Sequence, residues 1–288
     1  MRGLYLARGQ LCYREDLPEP EAPGDAGDVV VVEPLRAGIC ATDIALSRGY
    51  MGFEGVPGHE FVGIATSGTY AGQRVVGDIN AGCGRPECTW CGRGDGHHCP
   101  DRTVLGILRH SGAFAERLVL PERNLLPVPD AVSTDAATFT EPLAAALEIG
   151  EQVALEPEAR ALVAGDGKLG LLCAHALHLA GVAVTVAGRH PERAELLPAG
   201  VEHRLAMLEE DVAEPGASGT FDVAVEATGH ADVLGRLIPL VRPRGTLVLK
   251  TTSEKPATVD LSLVVVNELS ILGSRCGPFQ KALDLLAR

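Results

Sequence analysis

Gly165-Asp166-Gly167-Lys168-Leu169-Gly170 follows directly on the apolar run Ala161-Leu162-Val163-Ala164, and Leu169, Leu172, Cys173, Ala176 and Ala180 then recur at helical spacing. Val182 to Ala187 supplies a second apolar run. Strand, glycine turn, helix and strand in that order form a βαβ unit, and this context gives a G-x-G-x-x-G pattern its meaning. The glycines permit a tight turn, close approach of a pyrophosphate and helix–strand packing, while the helix N-terminus faces the phosphates. His175 and His178 point away from the helical apolar face and read as surface residues. Two further strands, Phe221 to Thr228 and Gly245 to Lys250, and an apolar segment from Leu261 to Leu272 continue the alternation. The second half of the chain is therefore expected to be a doubly wound parallel sheet.

The tip of the second strand indicates which dinucleotide is bound. An NAD site carries Asp or Glu there for the ribose 2′-hydroxyl, whereas a 2′-phosphate suits the planar fork of Arg. Here Val186-Ala187-Gly188 leads into Arg189-His190-Pro191-Glu192-Arg193, with no carboxylate at the tip and two guanidinium groups near it. The expectation is NADP in preference to NAD, with Gly165, Gly167, Lys168, Leu169, Gly170, Gly188, Arg189, His190, Arg193 and Thr228 as the cofactor-binding residues.

The first half reads as β-rich. Asp28-Val29-Val30-Val31-Val32-Glu33 is a β-branched run without alternation, which suggests a strand buried on both faces. Phe61 to Ala65, Arg74 to Val76, Gly112 to Glu116 and Leu118 to Leu120 are further strand candidates, with a loop at Pro18 to Gly24 and a short helix near Thr42 to Ser47. Thr140-Glu141-Pro142-Leu143 opens a helix, since Pro suits a first turn and a carboxylate is favoured at a helix N-terminus.

Chemistry-bearing residues fall in this first half. Gly38-Ile39-Cys40-Ala41-Thr42-Asp43 and Pro57-Gly58-His59-Glu60 bring a thiol, an imidazole and a carboxylate to two glycine-marked turns. Three such ligands make a zinc set with a fourth position open for water or substrate. Of eight cysteines, Cys83, Cys88, Cys91 and Cys99 crowd into one Gly-rich polar lobe. A closed tetrahedral Cys₄ site does no chemistry, but it staples a loop that lacks an apolar core. His97 and His98 beside Cys99 read as solvated neighbours.

The net charge of −13 argues against nucleic acid or anionic lipid as a partner. No apolar run approaches the roughly 20 residues that span a bilayer, and Met1 to Gln10 lacks the pattern of a signal peptide. A cytoplasmic protein is expected.

Taken in order, Gly38 to Asp43, Gly58-His59-Glu60, the Cys88-x₂-Cys91-x₇-Cys99 lobe and the Gly165 to Gly170 loop resemble the zinc-dependent medium-chain alcohol dehydrogenases across essentially the whole chain. Glu141-Pro142-Leu143-Ala144 looks like the polyol and glucose dehydrogenase branch. The resemblance implies an α/β protein with a GroES-like catalytic domain at 1–142, carrying the zinc lobe at 83–99. It implies a Rossmann domain at 143–272 and, from 273 to 288, the start of a return to the catalytic domain, where family members usually continue further. The active site is expected in the cleft between the two domains. Two zinc ions per chain are implied. Cys40 and His59 would hold the catalytic one, completed by Glu60 or Glu141, directly or through water. Cys83, Cys88, Cys91 and Cys99 would hold the structural one. Asp43 is implied to orient His59, Thr42 to relay the substrate proton, and Arg275 to lie near cofactor or substrate. Zinc would polarise the oxygen of an alcohol, polyol or sugar while NADP or NAD takes the hydride. A homodimer or homotetramer is implied, paired along Leu269 to Leu272. The alternative is a catalytically impaired NADPH-binding sensor or scaffold. Two departures stand out. Four residues separate Cys83 from Cys88 where the family usually has two, and Ala45 stands where simple alcohol dehydrogenases can carry a proton-passing His.

Overall fold

The computed structural model describes residues 1–21, 28–205, 219–253 and 255–288. The loop expected at Pro18 to Gly24 lies partly outside them. Two compact units emerge, one built from Met1–Glu141 with Phe279–Arg288, the other from Pro142–Pro278.

The first unit is antiparallel. A hairpin joins β1 (Gly3–Ala7) to β2 (Gln10–Arg14). The main sheet contains β3 (Val29–Gly38), β4 (Glu60–Ala65) and β5 (Arg74–Gly77), while β6 (Asn80–Ala81) and β7 (Thr103–Val104) pair apart from it. With β8 (Leu118–Pro121) and β9 (Leu125–Pro127) the main sheet has the order β8-β3-β4-β5-β9. Side chains alternate across a strand, and that alternation gives this sheet two cores. Phe61 and Val75 join Val30, Val32, Leu118 and Leu120 on one face, and Val62 and Val76 join Val128, Val132 and Ala137 on the other. The strands of this sheet buried on both faces are β4, β5 and β8. In β3 only Val30 and Val32 are fully buried, and Val29 and Val31 are half-exposed, which corrects the expectation drawn from its valine run. Pro34 is accommodated in β3 because the register shifts between Pro34 and Arg36, and a bulge needs no ladder donor there. Gly112 to Glu116 is not a strand; Ala115 makes a single bridge to Gly3. Two helices, α1 (Ala41–Ser47) and α2 (Thr134–Ala137), complete the run to the helix α3 (Thr140–Gln152), whose second residue closes the first unit.

The second unit holds β10 (Arg160–Ala164), α4 (Lys168–Leu179), β11 (Ala183–Gly188), β12 (Glu202–Leu205), β13 (Phe221–Glu226), α5 (Leu234–Leu237), β14 (Val241–Leu249), α6 (Leu261–Val266) and β15 (Ser270–Gly273). All neighbouring strands are parallel, in the order β12-β11-β10-β13-β14-β15. Counted from β10 this is 3-2-1-4-5-6, the doubly wound order, with its switch point between β10 and β13. Alternation again feeds two cores. Val163, Val184, Val186, Val223, Val225 and Val248 pack with Ile149 of α3 and Cys173 and Leu177 of α4, while Leu162, Ala164, Ala187, Ala224 and Leu247 face Leu237 and Ile238. On α4 the fully buried set is Gly170, Cys173, Ala174, Ala176 and Leu177. Leu169 and Leu172 only lean on that core, and Ala180 is an exposed cap. His175 is half-buried, with Nε2 2.8 Å from the carbonyl of Leu196.

After β15 the chain closes with α7 (Phe279–Leu286). Its Phe279, Ala282 and Leu283 are buried at helical spacing, and Leu283 joins the Val62, Val76 and Val132 cluster of the first unit. Phe279–Arg288 groups with the first unit.

Candidate active site

Three turns of the first unit build a cluster of donor atoms. Cys40 caps α1, and its backbone N–H donates to Asp43 Oδ2 at 2.8 Å, so a helix-cap interaction fixes both residues. Gly58 sits at φ +98°, in the left-handed region that turns β4 into its approach, and its N–H donates to Asp43 Oδ1 at 3.2 Å. One buried carboxylate thereby ties the Cys40 turn to the His59 turn. The His59 Nδ1 atom lies 3.2 Å from Asp43 Oδ1, and Thr42 Oγ1 lies 3.7 Å from Cys40 Sγ.

Cys40, His59 and Glu60 offer ligand atoms that all lie within 4.8 Å of one another. Glu141, in the first turn of α3, stands outside that compact set and acts on His59 as a charge. Burial alone would push the His59 pKa down, but Asp43, Cys40 and Glu141 carry it well above its ordinary value. The surroundings of the ring thus favour positive charge. His59 Nδ1 is buried without a well-aligned hydrogen bond. Thiolate, imidazole and carboxylate gathered in an electronegative, half-buried corner fit zinc, with room for a fourth ligand.

The lobe between β6 and β7 brings Cys83, Cys88, Cys91 and Cys99 together within 4.8 Å, despite the longer Cys83–Cys88 spacing. Cys83 Sγ lies 3.7 Å from Cys91 Sγ, and Cys88 Sγ lies 3.8 Å from Cys99 Sγ. Tetrahedral zinc with Zn–S bonds of about 2.3 Å requires sulfur–sulfur separations of about 3.8 Å. The backbone N–H of Cys91 draws the Cys88 thiol down to about 7, and burial pushes Cys91 up to about 12. A shared cation lets all four thiolates coexist. His98 packs its ring 5.6 Å from Trp90.

In the second unit a cavity of about 610 Å³ opens at the switch point, lined by Gly165, Asp166 and Gly167 after β10, Gly188, Arg189 and His190 after β11, and Thr228 after β13, with Arg193 and Arg236 at its rim. Gly165 takes φ +107°. A side chain on Gly170 would overlap the Gly165 carbonyl, so this glycine lets α4 press onto the turn. Lys168, Leu169 and Gly170 form the first turn of α4 and do not line the cavity; Lys168 is exposed. Arg275 is exposed just past β15, with Nη1 3.2 Å from Cys276 Sγ, and is not part of the cavity lining.

Two acids absent from the sequence-based site shape this cavity. Asp166 accepts from the N–H groups of Arg189 (2.9 Å) and His190 (2.8 Å) and lies 2.8 Å from His190 Nδ1. Burial would raise its pKa, but the His190 ring and those two amides pull it to about 2. Glu226, also buried, accepts from Thr228 N and Oγ1 at 2.7 and 2.6 Å and from Gly229 N at 3.1 Å, holding the turn after β13. The available signals were an acid between two glycines and an acid ending an apolar strand.

Comparison with known proteins places these features in a family. Residues 26–130 match the alcohol dehydrogenase GroES-like domain, and residues 169–288 match the zinc-binding dehydrogenase family. An L-threonine 3-dehydrogenase of Saccharopolyspora erythraea is 32% identical over 283 residues, covering 90% of this chain and 78% of that protein. An erythritol/L-threitol dehydrogenase of Mycolicibacterium smegmatis is 30% identical over 307 residues, covering 95% and 83%. Among solved structures, a short chain alcohol dehydrogenase from E. coli complexed with NADH aligns with a TM-score of 0.85 at 28% identity, over 100% of this chain and 87% of that one. A putative zinc-binding dehydrogenase from Sinorhizobium meliloti bound to NADP gives 0.84 at 27% identity, over 99% and 88%. The curated relatives are named as enzymes, and nothing in them favours a non-catalytic sensor. No helix among the described residues is long and apolar enough to cross a membrane.

Proposed function

We propose, from the fact that this chain belongs to the zinc-dependent medium-chain alcohol dehydrogenase family, that it interconverts a secondary alcohol, polyol or sugar and its carbonyl form, with NADP as the preferred hydride carrier. The observation that carries the reading is the Cys40–His59–Glu60 donor set, built around the buried His59 with Asp43 behind it. L-threonine, erythritol and threitol, named for the relatives, each carry a hydroxyl beside another polar carbon substituent. A secondary alcohol with such a neighbour is the substrate class we favour.

Bound zinc would supply Lewis acidity toward the alcohol oxygen, and a bound nicotinamide would supply the hydride acceptor. The protein groups do the rest. Cys40, His59 and Glu60 hold the metal, and Glu141 adds negative charge from the first turn of α3. Asp43 stands at the Nδ1 side of His59, which fixes the ring and leaves Nε2 as the ligand nitrogen. Thr42 Oγ1, beside Cys40 Sγ, receives the hydroxyl proton. With Ala45 offering no further relay, that proton leaves through water near Glu60 and Glu141. Cys83, Cys88, Cys91 and Cys99 would hold a second, structural zinc. The cavity of the second unit takes the dinucleotide, with Arg189 and Arg193 toward a 2′-phosphate.

We further propose a cytoplasmic homodimer or homotetramer paired along β15, an edge strand whose Ile271 is exposed; light scattering tests the assembly. The test of activity is turnover of a polyol, sugar and β-hydroxy amino acid panel with NADP and NAD. Wild-type protein should turn over at least one member. Cys40→Ser should lose turnover and one zinc equivalent together, and retention of both refutes the reading. Arg189→Ala should weaken NADPH far more than NADH, and equal weakening refutes the NADP preference.

A further inference from the structure

Gly188 ends β11 without a side chain, and the space its Cβ would need is taken by Asp166 Oδ2, with His203 Nε2 also at that point. A dinucleotide site of this type commonly hangs an acid from that strand tip to hold the ribose hydroxyls. Here a carboxylate does stand at the tip, but it arrives from the turn after β10 and is already engaged. Oδ2 accepts the N–H of Arg189 at 2.9 Å and of His190 at 2.8 Å, and Oδ1 lies 2.8 Å from His190 Nδ1. Arg193 Nη1 lies 3.6 Å from Oδ1 and donates to the Asp166 carbonyl at 2.8 Å, while His203 Nε2 lies 3.4 Å from Oδ2. Asp166 is only 4% exposed. A carboxylate has about four lone-pair directions; three are taken by these hydrogen bonds, and the remaining one, on Oδ1, faces the Arg193 guanidinium at 3.6 Å rather than a ribose diol.

The same contacts have a second effect. They clamp the backbone at 189 and 190 and hold the His190 ring and the Arg193 guanidinium at the cavity wall. Three arginines, Arg189, Arg193 and Arg236, then face two aspartates, Asp166 and Asp232, around the cavity. Donors held in place before binding lose less entropy when an anion arrives.

We infer that Asp166 is a positioning residue that commits this pocket to nucleotides bearing a 2′-phosphate: it withholds its own oxygens from the ribose and presets Arg189, His190 and Arg193 for the phosphate. The inference rests on the NADP reading of this pocket and names the residue that enforces it.

The experiment is calorimetric titration of the full-length protein with 2′,5′-ADP and with 5′-AMP, followed by NADPH and NADH. Three proteins are compared: wild type, Asp166→Asn, and the exchange Asp166→Gly with Gly188→Asp, which returns the acid to the strand tip. Wild type should prefer 2′,5′-ADP by at least about tenfold. Asp166→Asn should lose most of that preference through the 2′,5′-ADP affinity, with 5′-AMP changed no more than about twofold. The exchange should reverse the preference toward 5′-AMP and NADH. If wild type discriminates but Asp166→Asn keeps the ratio, or weakens both ligands alike, Asp166 is merely structural and the inference falls while the NADP reading stands. If wild type does not discriminate, the NADP reading itself fails and takes the inference with it. Should Asp166→Asn not fold, the exchange decides, and continued preference for 2′,5′-ADP overturns the inference.

Discussion

Asp43 and His59 form a buried pair, Oδ1 lying 3.2 Å from Nδ1, with each side chain 4% exposed. Asp43 also binds the N–H groups of Cys40 and Gly58, so one carboxylate sets the direction of an imidazole and the spacing of two turns. Asp43→Asn keeps the shape and removes the charge. Its zinc affinity should fall about 10- to 100-fold, the range seen when a partner behind a metal ligand is lost. Competition with a chromophoric chelator measures this, alongside circular dichroism to verify the fold. Parental affinity in a folded Asp43→Asn protein would remove Asp43 from the site.

The two sulfur-bearing clusters should separate cleanly by mutation. The lobe from Cys83 to Cys99 has few buried residues of its own, Cys99 being the clearest. A structural zinc contributes on the order of 10 kcal/mol to such a lobe, so Cys91→Ser should release one zinc equivalent and expose the lobe to proteolysis between residues 83 and 99. Cys40→Ser should release one equivalent and leave the lobe resistant. Elemental analysis and limited proteolysis read both results. A lobe that stays resistant after Cys91→Ser would show that packing, not metal, holds it.

Two glycines of one turn should fail in opposite ways. A Cβ on Gly170 overlaps the Gly165 carbonyl, whereas a Cβ on Gly167 meets nothing within 4 Å. Gly170→Ala should therefore destabilise the second unit by about 1–3 kcal/mol, as overpacking does. Gly167→Ala should leave thermal unfolding unchanged yet weaken NADPH, since the second glycine of this turn is where backbone approaches pyrophosphate. Thermal unfolding and fluorescence titration of both variants check the contrast, and a stable Gly170→Ala protein with intact NADPH binding would contradict it.

The parts of this fold that were legible in the sequence are those fixed by local pattern. Val163 and Leu162 alternate within a short run bounded by a glycine turn, so strand, turn and helix follow from adjacent residues. The valine run of β3 misled because burial of a face depends on what the sheet packs against: α2 and α7 cover β4 and β5, and Leu283 reaches that core from the far end of the chain. The thiol, imidazole and carboxylate of the candidate metal site were legible by residue type. Whether Glu60 or Glu141 lies nearer was not, because that depends on where α3 begins relative to β4. Asp166 stayed hidden for the same reason. In sequence it is one variable position of a glycine turn, and only the parallel pairing of β10 with β11 brings it to Gly188.

Asp166 should also leave a signature in acid. Its pKa in the folded protein is held at about 2, against about 3.9 for an unperturbed Asp. A depressed carboxylate stabilises the fold above its unfolded pKa and loses that contribution as pH falls through its folded pKa. The contribution should be complete above about pH 5 and mostly gone at about pH 2, and the shift corresponds to about 2.6 kcal/mol. Other depressed carboxylates, such as Asp222 and Glu202, act in the same direction, so the total acid sensitivity cannot be assigned to one residue. The difference between wild type and Asp166→Asn below about pH 5 can, because groups out of reach of Asp166 cancel and the His190 and His203 rings beside it do not titrate in that range. Urea unfolding of both proteins at several pH values below about pH 5 should give a gap that narrows steadily toward about pH 2. A gap that stays constant to the lowest pH would mean that Asp166 holds its loop by shape alone, and that its charge adds nothing to the stability of the fold.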